Sequence, residues 1–451
     1  MARWIEGVEA SDLPATVVDA CIDTVIDTCG LAFAARRSDY VAALLESWTT
    51  AGPCTVIGFA QSRDAAAAAM INGTAAHGED FDNTFEGCPV HAGSVVVPAV
   101  LAVAEERGLS GYDALRGMAV GQELMCRLAL VVRKGTHAAG FHPTAVIGAM
   151  GATAAVAATT GMPTPATANA LGIAGSMASG IIEYLADGSW TKRMHAGWAA
   201  QSGLRAAAMG QSGFEGPATV FEGRHGFFRA FAPSVEPDLG LVTADLGRRW
   251  ESERLAFKPY ACGTMTQPFV DCAVRLAGRG IRAADIVDLK CLVGEGTVHR
   301  LWDPIELKRT PPTPYAAKFS TPYCIAVAFL RGDAGLSEFN QEAIRDPAVL
   351  ALAERVRYVI DPDDEYPHNY TGRIRATLTD GRVIDEVQPH LRGGAREPLG
   401  RAELQRKCAA NLAVGGADPE FARAVTAFAE GFGAAAVAVP SAPAIAASGH
   451  A

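Results

Sequence analysis

Three short polar segments interrupt a chain in which 49% of the residues are hydrophobic. The first runs from His77 to His91 and places two imidazoles and four carboxylates within fifteen residues. The second covers residues 140–144 (Gly-Phe-His-Pro-Thr), and the third covers residues 190–195 (Trp-Thr-Lys-Arg-Met-His). So many polar groups are costly to bury unless they face water or do chemistry. Each segment leads into a Gly/Ala-rich stretch typical of a helix, and this recurrence is the main indication of a functional site.

His91 and His142 each precede a predicted helix. A Gly-Cys-Pro turn blocks helix continuation before His91, which places this residue on a loop leading into a helix that begins near Ala92. Pro143 suits the first turn of a helix, so His142 lies beside another helix start. Helix N-termini present free N–H groups and partial positive charge, which favour a carboxylate or a phosphate. With Lys192 nearby, the sequence predicts a pocket for a polyanion.

Asp80 and Thr84 are four residues apart, and they share one face if the segment is helical. A carboxylate and a hydroxyl in that arrangement could orient a hydroxyl group of the ligand or a catalytic histidine.

Plainer roles remain open for the same residues. A histidine before a helix is often a structural cap, the acidic residues of the first segment could form a solvated face, and the Lys192-Arg193 pair could be surface charge. A metal site is a further alternative, because imidazoles and carboxylates are metal ligands. No HxxxH or HExxH spacing supports it, so we expect no metal. The Gly148–Gly151 stretch lacks a preceding strand, which argues against a nucleotide-binding loop.

Net charge restricts the partners of this protein. The formal charge of −10 argues against a nucleic acid, because no basic stripe offsets it. An anionic substrate would therefore need positive charge gathered locally. The cationic candidates are His142, Lys192, Arg193 and Lys258.

Cysteine usage and hydropathy favour a soluble, cytoplasmic protein. The 10 cysteines include no CxxC pair, which suits reduced, buried thiols better than a disulfide framework. The N-terminal residues lack the continuous apolar core of a secretion signal. No apolar stretch of about 18 residues is free of Gly, Pro or charge, so a membrane span is not expected.

The pattern of apolar residues along the chain changes near Lys258. Before it, the pattern predicts helix after helix, with small apolar residues that favour a large buried bundle. The predicted helical stretches are 19–48, 93–106, 111–132, 145–160 and 165–183. After it, alternating runs at 286–293 and 356–360, and a hairpin around Asp380-Gly381, predict strands. Helical patterns at 266–278 and 321–331 complete an α+β unit.

We therefore predict a mostly α protein in which a large helical domain is joined by a smaller α+β domain. The helical domain covers 1–259, the α+β domain covers 260–395, and residues 396–451 return to the helical domain. That last part contains a helical stretch at 401–432 and an Ala/Pro-rich tail, expected to be frayed, from Ala434 onward.

Taken together, these motifs resemble the MmgE/PrpD (2-methylcitrate dehydratase) family. The resemblance rests on Asp80-Phe-Asp-Asn-Thr84 followed by His91, on residues 140–144, and on Thr191-Lys-Arg-Met-His195-Ala-Gly. Further matching motifs occur at 221–228, 257–262, 317–323 and 397–407, so the resemblance extends over nearly the whole chain.

The resemblance implies a fold and a set of activities. The family contains cofactor-independent enzymes: 2-methylcitrate dehydratase, cis-aconitate decarboxylase and iminodisuccinate epimerase. Its fold is a large helical domain with a smaller α+β lid domain, usually in a homodimer. Carried over by motif, the active site in the cleft between domains would comprise Asp80, Thr84, His91, His142, Lys192, Lys258 and Tyr323.

The chain also departs from the family pattern. Asn83 stands where an Asp is common, and Val90-His91-Ala92 stands in place of Thr-His-Pro. The loop between Thr84 and His91 is one residue longer than in decarboxylase members. Gln267 occupies a position that is often His, and Gln cannot transfer a proton near neutral pH. These differences weaken the case for 2-methylcitrate itself as the substrate.

We predict a metal-free, cofactor-independent lyase of the dehydratase (hydro-lyase) type that acts on a small di- or tricarboxylate. It would abstract a proton next to a carboxylate, and fixed positive charge would stabilise the resulting dianion. Lys192, Lys258 and His142 would bind carboxylates, with Arg193 as a further cation. His91 or Asp80 would be the base, and Tyr323 or a protonated histidine the acid that releases water.

Other functions share these residues. An epimerase of an amino- or imino-dicarboxylate would return the proton to the opposite face, and a decarboxylase of an aconitate-like acid would release CO₂. A non-catalytic carboxylate-binding or scaffold protein and a metal hydrolase are alternatives from other classes. We expect a homodimer from the family resemblance and from the small apolar residues of the predicted bundle, which indicate extensive burial.

Overall fold

The computed structural model describes residues 1–442, which fall into two compact units. The first unit contains Met1–Gly78, Asp82–Ala256 and the residues from Gly400 on. The second contains Glu79–Phe81 and Phe257–Leu399. The protein is mostly α-helical with a smaller α+β part, which confirms the predicted fold class.

The first unit consists of helices with two pairs of very short antiparallel strands. Its helices are α1 (Ala2–Gly7), α2 (Ala15–Ala34), α3 (Asp39–Ser47), α4 (Ala65–His77), α5 (Gly93–Arg107), α6 (Gly111–Val132), α7 (Gly135–Ala138), α8 (Pro143–Thr159), α9 (Thr164–Met177), α10 (Tyr184–Asp187), α11 (Thr191–Gln211), α12 (Phe227–Phe231), α13 (Gly240–Thr243), α20 (Arg401–Val414) and α21 (Pro419–Glu430). Its strands are β1 (Cys54–Thr55), β2 (Ser62–Arg63), β3 (Thr84–Phe85) and β4 (Leu255–Ala256).

Small residues allow the central helices to pack closely. Every residue of α8 is buried, as its Ala/Gly-rich sequence predicts. Helices α4 and α11 meet through glycines: a Cβ on Gly197 would lie 2.0 Å from the carbonyl oxygen of Met70, and one on Gly73 would lie 2.7 Å from Gly197 Cα. Any larger residue would push these two helices apart. Glycine therefore fixes the spacing between α4, which ends at His77, and α11, which begins just before Lys192.

Some predicted helices are interrupted. The stretch 19–48 is divided between α2 and α3 by a 3₁₀ turn at Ala35–Arg37. The stretch 401–432 is divided between α20 and α21 at Gly415-Gly416, where Gly416 adopts a φ of +81° that most residues avoid. Both breaks carry local signals that the prediction passed over: Ser38-Asp39 suits a helix N-terminus, and Gly415-Gly416 is followed by Asp418-Pro419.

The segment after Ala434 differs from the predicted frayed tail as far as Ala442. The amides of Gly111 and Tyr112 donate to the carbonyls of Ala435 and Gly433. The Val437 amide in turn donates to a carbonyl just before α6, and its side chain is buried. These pairings cover the start of α6. Residues 443–451, the rest of the predicted tail, lie outside the described residues.

The second unit is an α+β structure, and its strands lie where the alternating runs predicted them. One four-stranded sheet has the order β6-β5-β7-β8, in which β5 and β6 are parallel and the other pairs antiparallel. The strands are β5 (Ile286–Val293), β6 (Val356–Ile360), β7 (Gly372–Leu378) and β8 (Val383–Gln388). The helices are α14 (Gln267–Gly278), α15 (Glu295–Leu301), α16 (Ile305–Arg309), α17 (Pro314–Ala317), α18 (Thr321–Arg331) and α19 (Pro347–Ala353).

All ten cysteines fall within the described residues, and each is buried with a free thiol, as predicted. Within residues 1–442, none of the helices combines the length and the apolar character needed to cross a bilayer.

Candidate active site

His77 and Asp82 form the centre of an imidazole cluster in the first unit. Helix α4 ends at His77, and the chain then turns so that Asp82 comes back to it. His77 Nδ1 lies 2.9 Å from Asp82 Oδ2, and only 1% of the surface of each residue is exposed. A carboxylate can only accept, so Nδ1 of His77 carries the proton. Its Nε2 is then a lone-pair acceptor, and it has no hydrogen-bond partner among the described residues.

His91 is the second imidazole of the cluster, and its tautomer is also fixed. Its Nδ1 lies 3.0 Å from the main-chain oxygen of Asn83 and 3.1 Å from Asp82 Oδ1. A carbonyl oxygen cannot donate, so Nδ1 of His91 is the donor, and in the neutral ring the lone pair is on Nε2. The His77 and His91 ring centres are 4.7 Å apart. His91 therefore presents the nitrogen that a general base needs.

Two helix starts hold His91 in place. Gly93 begins α5, and its amide donates to Asn83 Oδ1 at 2.9 Å. The His91 amide donates to Thr144 Oγ1, in the first turn of α8, at 3.2 Å. The prediction that His91 lies on a loop just before a helix is confirmed, with the helix beginning one residue later than expected. Asn83, which departs from the family pattern, is here the acceptor for the first amide of α5.

His142 and His195 form a second imidazole pair beside the first. His142 is the N-cap residue of α8 with Pro143 at the first helical position, as predicted. Its Nδ1 lies 3.1 Å from Nδ1 of His195, which is in the second turn of α11. The His142 ring also stacks on His77, with centres 5.6 Å apart and planes 25° from parallel. Four imidazoles are therefore contiguous within the first unit.

Burial and mutual proximity favour the neutral forms of His77, His142 and His195. Burial, followed by the influence of His77 and Lys192, lowers the pKa of His142 well below its ordinary value. Burial also lowers the pKa of His77, although Asp82 opposes this shift. Burial, His77 and Lys192 lower the pKa of His195 to about 4.

Asp82 is the negative group of the cluster. Burial by itself raises the pKa of the Asp82 carboxyl, but the imidazoles of His91 and His77 more than offset this and hold it well below its ordinary value. Lys192, in the first turn of α11, is close enough to influence His77, His142 and His195. The cluster thus combines neutral imidazoles with one carboxylate and one ammonium group.

Asp80 lies in the second unit, where it contacts Lys258. Lys258 Nζ donates to the main-chain oxygen of Asp80 at 2.6 Å and lies 3.3 Å from its carboxylate. The predicted helical face shared with Thr84 is wrong: Asp80 has a φ of +54°, in the left-handed region, and Thr84 is in strand β3. The left-handed conformation of Asp80 reverses the direction of the chain, whereas a continuous helix would not. Asp tolerates this conformation better than most residues.

A second lysine, which the sequence reasoning missed, holds the neighbouring residue. Lys318 Nζ donates to the main-chain oxygen of Glu79 at 2.8 Å and to its carboxylate at 2.5 Å. Lys258 and Lys318 are both nearly fully buried. We call Lys258, Lys318, Glu79 and Asp80 the lysine clamp. Lys318 belongs to the Ala-Lys-Phe-Ser motif of residues 317–320, which the sequence analysis had noted as part of the family resemblance. The sequence did not show which residue Lys318 would contact.

Gln267 has a structural role in the loop that carries Lys258. Its amide nitrogen donates to the carbonyl oxygens of Tyr260 and Cys262, at 3.2 and 3.1 Å. A neutral histidine ring nitrogen has at most one N–H, so it could not hold both carbonyls from one atom. The exchange of His for Gln at this position thus supplies a loop anchor. Tyr260 is held further by Asp271, which accepts from its hydroxyl at 2.8 Å.

The remaining predicted residues have other contacts. The Tyr323 hydroxyl, in the second unit, donates to the carbonyl of Glu338 at 2.7 Å, and burial raises its pKa. The Arg193 guanidinium lies 4.5 Å from the centre of the Tyr40 ring. The Thr84 hydroxyl is buried with no hydrogen-bond partner among the described residues.

The structure therefore brings together His91, His142 and Lys192, as the sequence predicted, and adds His77, Asp82 and His195. All three added residues lie in the polar segments identified from sequence. The spacing from His77 to Asp82 gives no helical or strand signal, because the intervening chain is irregular. The pairing of His142 with His195 joins residues 53 positions apart, which a single sequence cannot show.

Three of these residues are also of metal-ligand type. One donor atom from each of His77, Asp82 and His91 lies within 4.8 Å of the others. Two imidazoles and one carboxylate would suit zinc or iron. However, Asp82 already lies within 3.1 Å of a protonated Nδ1 on each ring. A metal bound through this carboxylate would have to compete with those contacts.

Comparisons with known proteins identify the family of this chain. The MmgE/PrpD N-terminal domain matches residues 1–239, and the MmgE/PrpD C-terminal domain matches residues 260–427. The chain is 28% identical over 439 residues to cis-aconitate decarboxylase of Aspergillus terreus, covering 90% of this chain and 87% of the relative. It is 26% identical over 434 residues to the cis-aconitate decarboxylase-like protein oryM of Aspergillus oryzae, covering 90% and 88%. It is 27% identical over 358 residues to human cis-aconitate decarboxylase, covering 76% and 72%. The chain belongs to the MmgE/PrpD family.

Proposed function

We propose that this protein is a cofactor-independent lyase that moves a proton at a carbon next to a carboxylate of a small di- or tricarboxylate. The observation that carries the proposal is the imidazole cluster, in which two tautomers are fixed by oxygen acceptors. Neutral, buried imidazoles with defined lone pairs suit general acid–base work near neutral pH.

His91 is assigned as the base. Its Nδ1–H is held by the Asn83 carbonyl and Asp82, so in the neutral ring the lone pair that accepts the proton from carbon is on Nε2. Asp82 would stabilise the imidazolium that forms, much as a buried carboxylate does in a catalytic triad. Asp80 is the weaker candidate for the base, because its carboxylate lies 3.3 Å from the Lys258 ammonium.

His142 is assigned as the acid that protonates the leaving hydroxyl. The Tyr323 hydroxyl donates to a main-chain carbonyl, which makes it the weaker candidate. Lys192 and the partial positive charge at the N-termini of α5 and α8 would stabilise the dianion formed when the proton leaves carbon. Proton transfer by each positioned group contributes about 10²–10⁴-fold, and fixed charge would supply much of the rest.

Decarboxylation of a cis-aconitate-like acid is the second candidate, favoured by the names of the relatives. It also requires a proton to be added at carbon after CO₂ leaves. We propose in addition that the protein acts without a metal and as a homodimer. Full activity after exhaustive dialysis against EDTA, and light scattering at twice the mass of one chain, are the expected results.

The test uses citrate, 2-methylcitrate and cis-aconitate, each in H₂O and in D₂O. Dehydration would produce an absorbing alkene, and decarboxylation would release CO₂. Solvent deuterium appearing next to a carboxylate, without either product, would indicate an epimerase and would contradict the lyase proposal. No exchange and no product with any of the three acids would contradict proton transfer on this class of substrate.

A further inference from the structure

The pairing of His142 with His195 has a chemical consequence. The two Nδ1 atoms are 3.1 Å apart, so one must carry a proton and the other must accept it. The neighbouring titratable groups are His77 and Tyr184, whose ring centres lie 5.6 Å and 6.2 Å from that of His142, together with Lys192. The single shared proton therefore sets the tautomer of both rings at once.

His195 lies beside an open cavity. A cavity of about 520 Å³ is lined by His195 together with Ser179, Glu183, Tyr184, Asp187 and Trp198. Glu183 and Asp187, which line the cavity, are exposed. His142 is buried and is not among the residues that line this cavity, whereas His195 is 3% exposed and lines it. The pair thus extends from the interior of the cluster to a cavity that opens to solvent.

Gly180 leaves the outer edge of His195 uncovered. A Cβ on Gly180 would lie 3.3 Å from His195 Nε2 and 2.5 Å from Ala145 Cβ, and the residue has a φ of +127°. The carbonyl of Gly180 also accepts from the His142 amide at 2.9 Å, which ties this edge to the start of α8. Glycine is therefore required here, and it keeps Nε2 of His195 next to the cavity.

We propose that His195 is a positioning residue that relays protons between His142 and solvent through this cavity. The proposal rests on the proposed function, in which His142 donates a proton. A neutral imidazole that loses Nε2–H alone would become an imidazolate, which is unfavourable. Reprotonation of the same ring on Nδ1 avoids that state.

The step balances as follows. The Nε2–H bond of His142 breaks as its proton passes to the leaving hydroxyl, which forms water. The Nδ1–H bond of His195 breaks as the bond to His142 Nδ1 forms, and His195 Nε2 takes up one proton from bulk solvent through the cavity. His91 releases to solvent the proton that it removed from carbon, so the net uptake of protons is zero. Both rings remain neutral, and no oxidant or reductant is involved. The same proton transfers occur in reverse when a proton returns to His142 Nε2. This restores the starting tautomer of both rings.

His195→Ala and chemical rescue test the relay, with citrate as the substrate because it carries a hydroxyl leaving group. We expect kcat to fall at least about tenfold, because a proton-transfer step is lost, with a much smaller change in KM. Added imidazole should enter the enlarged cavity and restore a large part of kcat. Pyrazole has the same size but is far less basic, and it should restore none. His195→Asn, which keeps a polar atom near Nδ1 but cannot relay a proton, should show the same loss if the alanine variant is unstable.

Met194→Leu is the matched control, because Met194 lines the same cavity and carries no titratable group. Its kcat should stay within about twofold of wild type. Equal rescue by imidazole and pyrazole, or an unchanged kcat in His195→Asn, would overturn the relay and leave the proposed function standing. Wild-type protein that is inert toward cis-aconitate, citrate and 2-methylcitrate would overturn the proposed function and the relay with it.

Discussion

In the first unit, two of four contiguous imidazoles contact one carboxylate, whereas in the second unit two lysines bind the backbone of two adjacent acidic residues. Buried imidazoles can lose their charge, and the lowered pKa values of His77, His142 and His195 indicate that they do. Both lysine ammonium groups are instead paired with carboxylate and carbonyl oxygens. The imidazole cluster is thus suited to moving protons, and the lysine clamp to fixing a segment of chain.

The largest effects are expected in the imidazole cluster. His91→Ala and His142→Ala should each lower kcat by about 10²–10⁴-fold, because each removes one proton-transfer group. Circular dichroism and the urea midpoint should show that both variants remain folded. Full activity in either folded variant would contradict the assigned roles.

The lysine clamp offers a matched pair of variants. Lys318→Met and Lys258→Met each leave a buried carbonyl and a carboxylate without their donor, so each should cost about 3 kcal/mol in the free energy of unfolding. If Lys258 also binds substrate, only Lys258→Met should lower kcat/KM of the folded enzyme. Urea titration and steady-state kinetics measure the two quantities. Equal kinetic losses in both variants would show that the two lysines do not differ in function.

Asp82→Asn tests whether one carboxylate organises the cluster. Asn offers a single acceptor oxygen and introduces an N–H donor that would face another donor, so one imidazole must lose its hydrogen bond. We expect a loss of about 2 kcal/mol in stability and a clear fall in kcat. Asp187→Asn is the control, since Asp187 is exposed. Wild-type stability in Asp82→Asn would contradict the central role of this carboxylate.

The smallest effect concerns pH. The pKa of His195 falls from its ordinary 6.5 to about 4 on folding, so between these values the unfolded chain binds more protons. Stability therefore rises with pH across this window and is lost on acidification. His77 and His142 act in the same direction, and the lowered pKa of Asp82 does so at lower pH. The gain in unfolding free energy from pH 5 to pH 7 should be smaller in His195→Asn than in wild type, and an identical gain would contradict this.

Sequence reasoning located the helix starts well and the side-chain pairings poorly. Pro143 and the turn before His91 are local signals, because they act within a few residues, and both helices begin within two residues of the expected positions. The strands of the second unit were equally clear, since alternation is local too. Breaks at Ala35–Arg37 and Gly415-Gly416 were missed, although Ser38-Asp39 and Asp418-Pro419 are local signals of a new helix start.

The pairings required distances that no local pattern contains. His142 and His195 come from different helices, and Lys318 reaches a carbonyl 239 residues away. Asp80 and Thr84 were expected on one helical face because their spacing fits a helix. The chain instead reverses at Asp80, where Lys258 captures the carbonyl oxygen. Tertiary contacts therefore determine the conformation of the polar segment that begins at His77, where the candidate catalytic residues are most concentrated.

The contact between Gly73 and Gly197 bears on how this protein could be engineered. A single methyl group at either position would meet backbone atoms closer than 3.0 Å and force α4 and α11 apart. Directed evolution toward other acids should therefore leave these two glycines untouched and vary side chains at the cavity rim, such as Ile181. Substitutions at Gly73 and Gly197 should therefore be among the least tolerated in this protein.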